Sequence, residues 1–98
     1  MTPFKKNSFK IEFSFKTKRG PETFACFTLG DNPAVAQAIF KQVKNAVTDG
    51  VEAVMTVDFL ETKNELPVNL DMINCTLDQL GEICKIITKE MFKTLQPE

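Results

Sequence analysis

The chain has 98 residues, of which 43% are hydrophobic and 26% charged, and a formal net charge of −1. This is the length of one domain with a modest core and the balance of an ordinary globular protein, which excludes disorder as the default state. No apolar run approaches the roughly 18 residues that a membrane-spanning helix needs.

Met1-Thr-Pro-Phe-Lys-Lys lacks the apolar stretch of a signal peptide. The three cysteines, Cys26, Cys75 and Cys84, have unrelated spacings, and there is no histidine. Neither a disulfide framework nor a zinc site is expected, and free thiols in a reducing cytoplasm fit best. The charge is unevenly spread. Residues 1–30 carry six basic side chains, Lys5, Lys6, Lys10, Lys16, Lys18 and Arg19, against Glu12 and Glu22, whereas the rest carries six basic against eleven acidic.

Residues 1–7 read as a flexible tail. Phe9, Ile11, Phe13 and Phe15 alternate with Lys10, Glu12, Ser14 and Lys16, the period of a half-buried strand. Thr17-Lys-Arg-Gly-Pro21 is a turn, and Thr23 to Leu29 forms the return arm of a hairpin. Its facing is open: Ala25, Phe27 and Leu29 point inward, or Phe24 and Cys26 do. Asp31 or Asn32 caps a helix with Pro33 in its first turn, where a missing N–H costs little. Val35, Ala36, Ile39, Phe40, Val43, Ala46 and Val47 give this helix one apolar arc to about Thr48. Asp49-Gly50 supplies a left-handed stop.

Val51 to Glu61 is a third strand, with Ala53, Met55, Val57 and Phe59 on one face and Glu52, Val54, Thr56, Asp58 and Leu60 on the other. After a turn at Thr62 to Glu65, Leu66 to Ile73 forms a fourth, with Val68, Leu70 and Met72 opposite Asn69 and Asp71. The last helix runs from Thr76 to about Leu95. Thr76 and Gln79 have capping-box spacing, and Asp78 and Lys93 suit the two ends of the helix dipole. Leu77, Leu80, Cys84, Ile87, Met91 and Leu95, with Ile83 beside them, make its apolar stripe. Gly81 falls near that stripe and suggests close packing. Ile86 falls on the opposite, polar side.

The order is ββαββα, one domain built as two similar halves, about 9–48 and 51–95. Thr17-Lys18 matches Thr62-Lys63. Ala36, Ile39, Phe40, Val43 and Val47 align with Leu80, Ile83, Cys84, Ile87 and Met91. The expected fold is α+β, with a four-stranded antiparallel sheet in the order 2-1-3-4 and both helices on one face. That order leaves Pro21 and Pro67 on edge strands, where a missing donor is tolerated. The other face would be open, carrying Lys10, Glu12, Ser14, Lys16, Glu52, Val54, Thr56, Asp58, Leu60, Asn69 and Asp71.

No catalytic set, cofactor site or metal site emerges. Asp58 and Asp71, with Glu61, could pair for acid–base or cation chemistry, although solvated strand residues are the more ordinary reading. Cys75 lies near a helix N-terminus, which favours a thiolate, but without histidine it lacks the usual base. Gly30-Asp31-Asn32-Pro33 is neither a dinucleotide fingerprint nor a P-loop. Protein association remains, most simply self-association into a homodimer or larger assembly through Ile86, Val54, Leu60 and the two free sheet edges. The alternative is weak nucleic-acid binding by Lys5, Lys6, Lys10, Lys16, Lys18 and Arg19. A third is an enzyme or small-ligand protein whose site the residues do not disclose.

Overall fold

The computed structural model describes residues 7–47 and 55–95. Asp49-Gly50, the first four positions of the expected third strand with Glu52 and Val54, Pro97, Lys5 and Lys6 lie outside them. The elements are β1 (Ser8–Thr17), β2 (Gly20–Gly30), α1 (Pro33–Asn45), β3 (Met55–Lys63), β4 (Leu66–Cys75) and α2 (Leu77–Leu95). The fold is α+β, and all strand pairs are antiparallel in the order β2-β1-β3-β4. The two proline-bearing strands are its edges, as a missing ladder donor requires.

Local chemistry sets the element boundaries. Asn32 caps α1 through its side-chain oxygen, which accepts the N–H groups of Ala34 at 3.0 Å and Val35 at 3.2 Å. At α2 the capping box is closed in both directions. The Thr76 N–H donates to Gln79 Oε1 at 2.9 Å, and the Gln79 N–H donates to Thr76 Oγ1 at 3.2 Å. The β3–β4 turn places Asn64 at φ 51° and Glu65 at φ 68°, the paired left-handed conformations that suit a two-residue hairpin.

The core lies between the sheet and both helices. Phe9, Ile11, Phe13, Met55, Val57 and Phe59 of the central strands meet Ala36, Ile39, Phe40 and Val43 of α1 and Ile83 and Ile87 of α2. Phe40 stacks on Phe59 with centroids 4.8 Å apart and planes 12° apart, which fixes α1 over β3. Glu90 joins the helices. Hydrogen bonds from Lys93 and from Gln42 of α1 hold its carboxyl below the usual value.

Three irregularities in the sheet revise which side chains share a face. A bulge between Phe13 and Ser14 leaves Phe24 without a β1 partner, between Ala25 opposite Phe13 and Thr23 opposite Ser14. A second leaves Leu29 between Gly30 opposite Phe9 and Thr28 opposite Lys10. Ala25, Phe27 and Leu29 thus face the helices and Cys26 faces away, which closes the open choice for this strand. The third bulge leaves Leu70 between Asn69 opposite Leu60 and Asp71 opposite Phe59. An inserted residue reverses the facing of everything beyond it. Asp71 therefore joins the helix side and Met72 the open face, contrary to the uninterrupted alternation expected for this strand.

The last helix is also rotated from its expected setting. Ile83 and Ile87 are fully buried, and Ile86 is half-buried and packed against the core. Ile86 therefore does not stand on a polar side. Leu77 and Phe92 are exposed instead. Gly81 does not mediate close packing, since a Cβ added there would meet nothing within 4 Å.

Candidate functional site

The open face of the sheet is arranged in cross-strand rows. Cys26, Glu12, Asp58 and Met72 form one. Thr28, Lys10, Leu60 and Asn69 form the row on one side of it, and Thr23, Ser14, Thr56 and Asn74 the row on the other. Charges on this face are matched locally: Lys10 Nζ lies 3.1 Å from Glu12 Oε2, and Asn69 Nδ2 donates to Asp58 Oδ1 at 2.9 Å. Ser14 Oγ and Thr23 Oγ1 are 3.4 Å apart. This surface is suited to water.

The proposed carboxylate pair does not assemble. Asp58 is on the open face, whereas Asp71 turns toward α1 and accepts from Lys44 Nζ at 2.9 Å. That hydrogen bond and one from the Met72 N–H hold the Asp71 carboxyl below its usual value. Glu61 is engaged at the end of the sheet, accepting from Asn7 Nδ2 at 3.0 Å, so Asn7 is held by the fold. Among the described residues, no group of three or more cysteine, aspartate or glutamate side chains is placed to hold a metal ion.

The thiols are poorly set up for nucleophilic chemistry. Cys75 is buried at the end of β4, and burial pushes its thiol up, with Cys84 adding to the effect. Burial raises Cys84 as well. Cys26 is exposed, yet desolvation still raises it against the lowering influence of Lys10. A thiolate is disfavoured at each.

Two surfaces stand out among the described residues. One is β4 and the groove beside it. Leu66, Val68, Leu70 and Met72 are all exposed, Leu66 at 67% and Met72 at 55%. The groove holds about 590 Å³ between α1 and β4. Phe40 and Phe59 lie along it, with Lys41, Lys44, Leu70 and Asp71 at its margin. Unbroken alternation would have put every second β4 residue in the core, so the edge position was expected from Pro67 but the exposure of Val68 and Leu70 was not. Of the residues expected at an interface, Leu60 is half-buried beside Asn69, and Ile86 contributes to packing.

The second surface is the β1–β2 turn. Lys16, Lys18 and Arg19 are exposed within four positions. Lys10 stands apart from them, about 20 Å along the strand at 3.3 Å per residue, and is paired with Glu12. The six basic residues expected to act together therefore divide, with only the turn residues grouped among those described.

No described helix is long and apolar enough to cross a membrane. Compared with family models, curated proteins and solved structures, the chain matches none.

Proposed function

We propose that this chain is a non-enzymatic association domain that works by pairing with a second copy of itself, in a reducing, cytoplasm-like compartment. The observation that carries this reading is β4, an edge strand with four exposed apolar side chains. Edge strands that stay monomeric are ordinarily guarded by charge, proline, bulges, covering elements or short length, and in β4 the proline and the bulge fall only in the stretch from Leu66 to Leu70. β4 runs for ten residues, and its one charged side chain, Asp71, is matched by Lys44 of the same chain. Two such edges can meet about a two-fold axis without like charges opposing each other, the self-complementary arrangement of a symmetric dimer. Pro67 and the bulge at Leu70 interrupt the ladder, which favours pairing along Asp71 to Cys75, where every residue has a backbone donor. The three free thiols suit a reducing compartment.

Sedimentation velocity tests the reading. The natural chain is expected to dimerise in the micromolar range. The double substitution Leu70→Lys and Met72→Lys, at positions already in water, should weaken the dimer by more than about tenfold with little effect on folding. A strict monomer at high micromolar concentration would overturn the proposal. Ile86→Glu is not a clean test, because it would put a charge against the core.

A further inference from the structure

We propose that the end of the β1–β2 hairpin binds single-stranded nucleic acid, with Lys16, Lys18 and Arg19 on phosphates and the ring pair Phe15–Phe24 against a base. This surface belongs to the edge opposite β4 and does not depend on self-association.

The turn presents its cations in a fixed frame. Thr17 Oγ1 accepts the Arg19 N–H at 3.1 Å and donates to the Gly20 carbonyl at 2.9 Å. Gly20 takes φ 111°, a conformation that glycine adopts without penalty. Lys18 and Arg19 form the turn, whereas Lys16, opposite Pro21, projects from the face of the hairpin away from the rings and reaches a phosphate only around the strand end. Glu22, opposite Phe15, is the one acidic residue between Phe13 and Gly30. Between Phe13 and Gly30 the hairpin thus carries three basic side chains against one acidic, the sign that favours a polyanion.

The aromatic component comes from the bulge. By inserting Phe24 between Thr23 and Ala25, it brings that ring within 5.3 Å of Phe15 and 6.2 Å of Phe13. Phe13 is sealed in the core, while Phe15 remains 40% and Phe24 46% exposed. The Phe15 and Phe24 rings are tilted by 57° to each other, so a base stacks on one of them and meets the edge of the other, with buried Phe13 holding the pair in place. Backbone cations beside an aromatic platform are the common arrangement for binding single strands without sequence preference. An acidic polypeptide would use the cations but has no planar group for the rings, so the combination favours nucleotides.

The test is fluorescence anisotropy of a labelled oligothymidylate of about fifteen nucleotides with the full chain, starting from about 20 mM salt. Binding should weaken with salt with a log–log slope near about −2, the value for three phosphate contacts on a single strand. K16E/K18E/R19E, all in an exposed turn, should reduce affinity more than about tenfold. F24L keeps apolar bulk but removes the ring and should cost about fivefold or more. Glu22→Gln should tighten binding. The proposal is overturned by no anisotropy change at low salt or by binding that survives the triple charge reversal. It is equally overturned by full affinity in a folded F24L chain, or by polyglutamate displacing the probe as well as unlabelled oligonucleotide does. The first of these would remove the surface altogether, and the last would reassign it to acidic polypeptides. Should F24L fail to fold, the charge-reversal variant and the competition still decide.

Discussion

Gly81 is the fifth residue of a 19-residue helix, with open space where a side chain would be. A helical glycine is destabilising by about 1 kcal/mol relative to alanine, because its backbone has more freedom to lose on folding. With no neighbour to displace, Gly81→Ala should stabilise the protein by about that amount. The urea midpoint should rise with an unchanged slope. A loss of stability would show a close neighbour at that point on α2 that the isolated fold lacks. The exposure of Phe92, 64%, on the same outward side of the helix makes the measurement informative about partners as well as propensity.

At the scale of elements, α1 and β4 are tied across the groove by Lys44 and Asp71. Because the folded state depresses the Asp71 pKa, the pair's contribution is present above the ordinary aspartate value near about 4. It is lost as pH falls through the lower folded value. Both partners are more than a third exposed, so solvent screening limits the contribution to less than about 1 kcal/mol. Lys44→Met should therefore lower the urea midpoint slightly at neutral pH and by progressively less in acid, as pH falls below the ordinary aspartate value of about 4. Equal losses at neutral and acid pH would mean that the lysine acts through its aliphatic stem.

The elements also show what the residue pattern could and could not convey. Caps are local chemistry, and Thr76, Gln79 and Asn32 act as their spacing implied. Pro21 and Pro67 identified the edge strands because a missing donor is a property of the residue itself. The bulges were hidden, since alternation in β4 looks regular until a single residue is inserted at Leu70. Asp71 and Met72 changed faces for that reason alone. In α2, Leu77, Ile83, Ile86 and Phe92 are more apolar residues than one face can bury. Which of them turn inward depends on α1 and β1, not on period. The cations of the hairpin turn were legible as charge, but Phe24 was not legible as part of their surface. Only the bulge places it there.

On the scale of the whole molecule, the strand order has a consequence in time. Each hairpin closes through a two-residue turn, but the central pairing joins residues as distant in sequence as Ser8 and Thr62, and Phe15 and Met55. Non-local pairings form late, because the entropy of closing the intervening chain comes before any contact offsets it. Docking of the two halves should therefore limit the folding rate. Val57→Ala, at the buried seam, should slow refolding, whereas Leu66→Ala, at an exposed end of β4, should leave it nearly unchanged. Stopped-flow chevrons would contradict this if Val57→Ala affected the unfolding limb alone. Until that docking, β1 and β3 are themselves open edges rich in phenylalanine, valine and isoleucine. The most protected strands of the finished protein are thus the most adhesive ones while it is being made. Its yield should fall with concentration during refolding even under conditions where the native state is soluble.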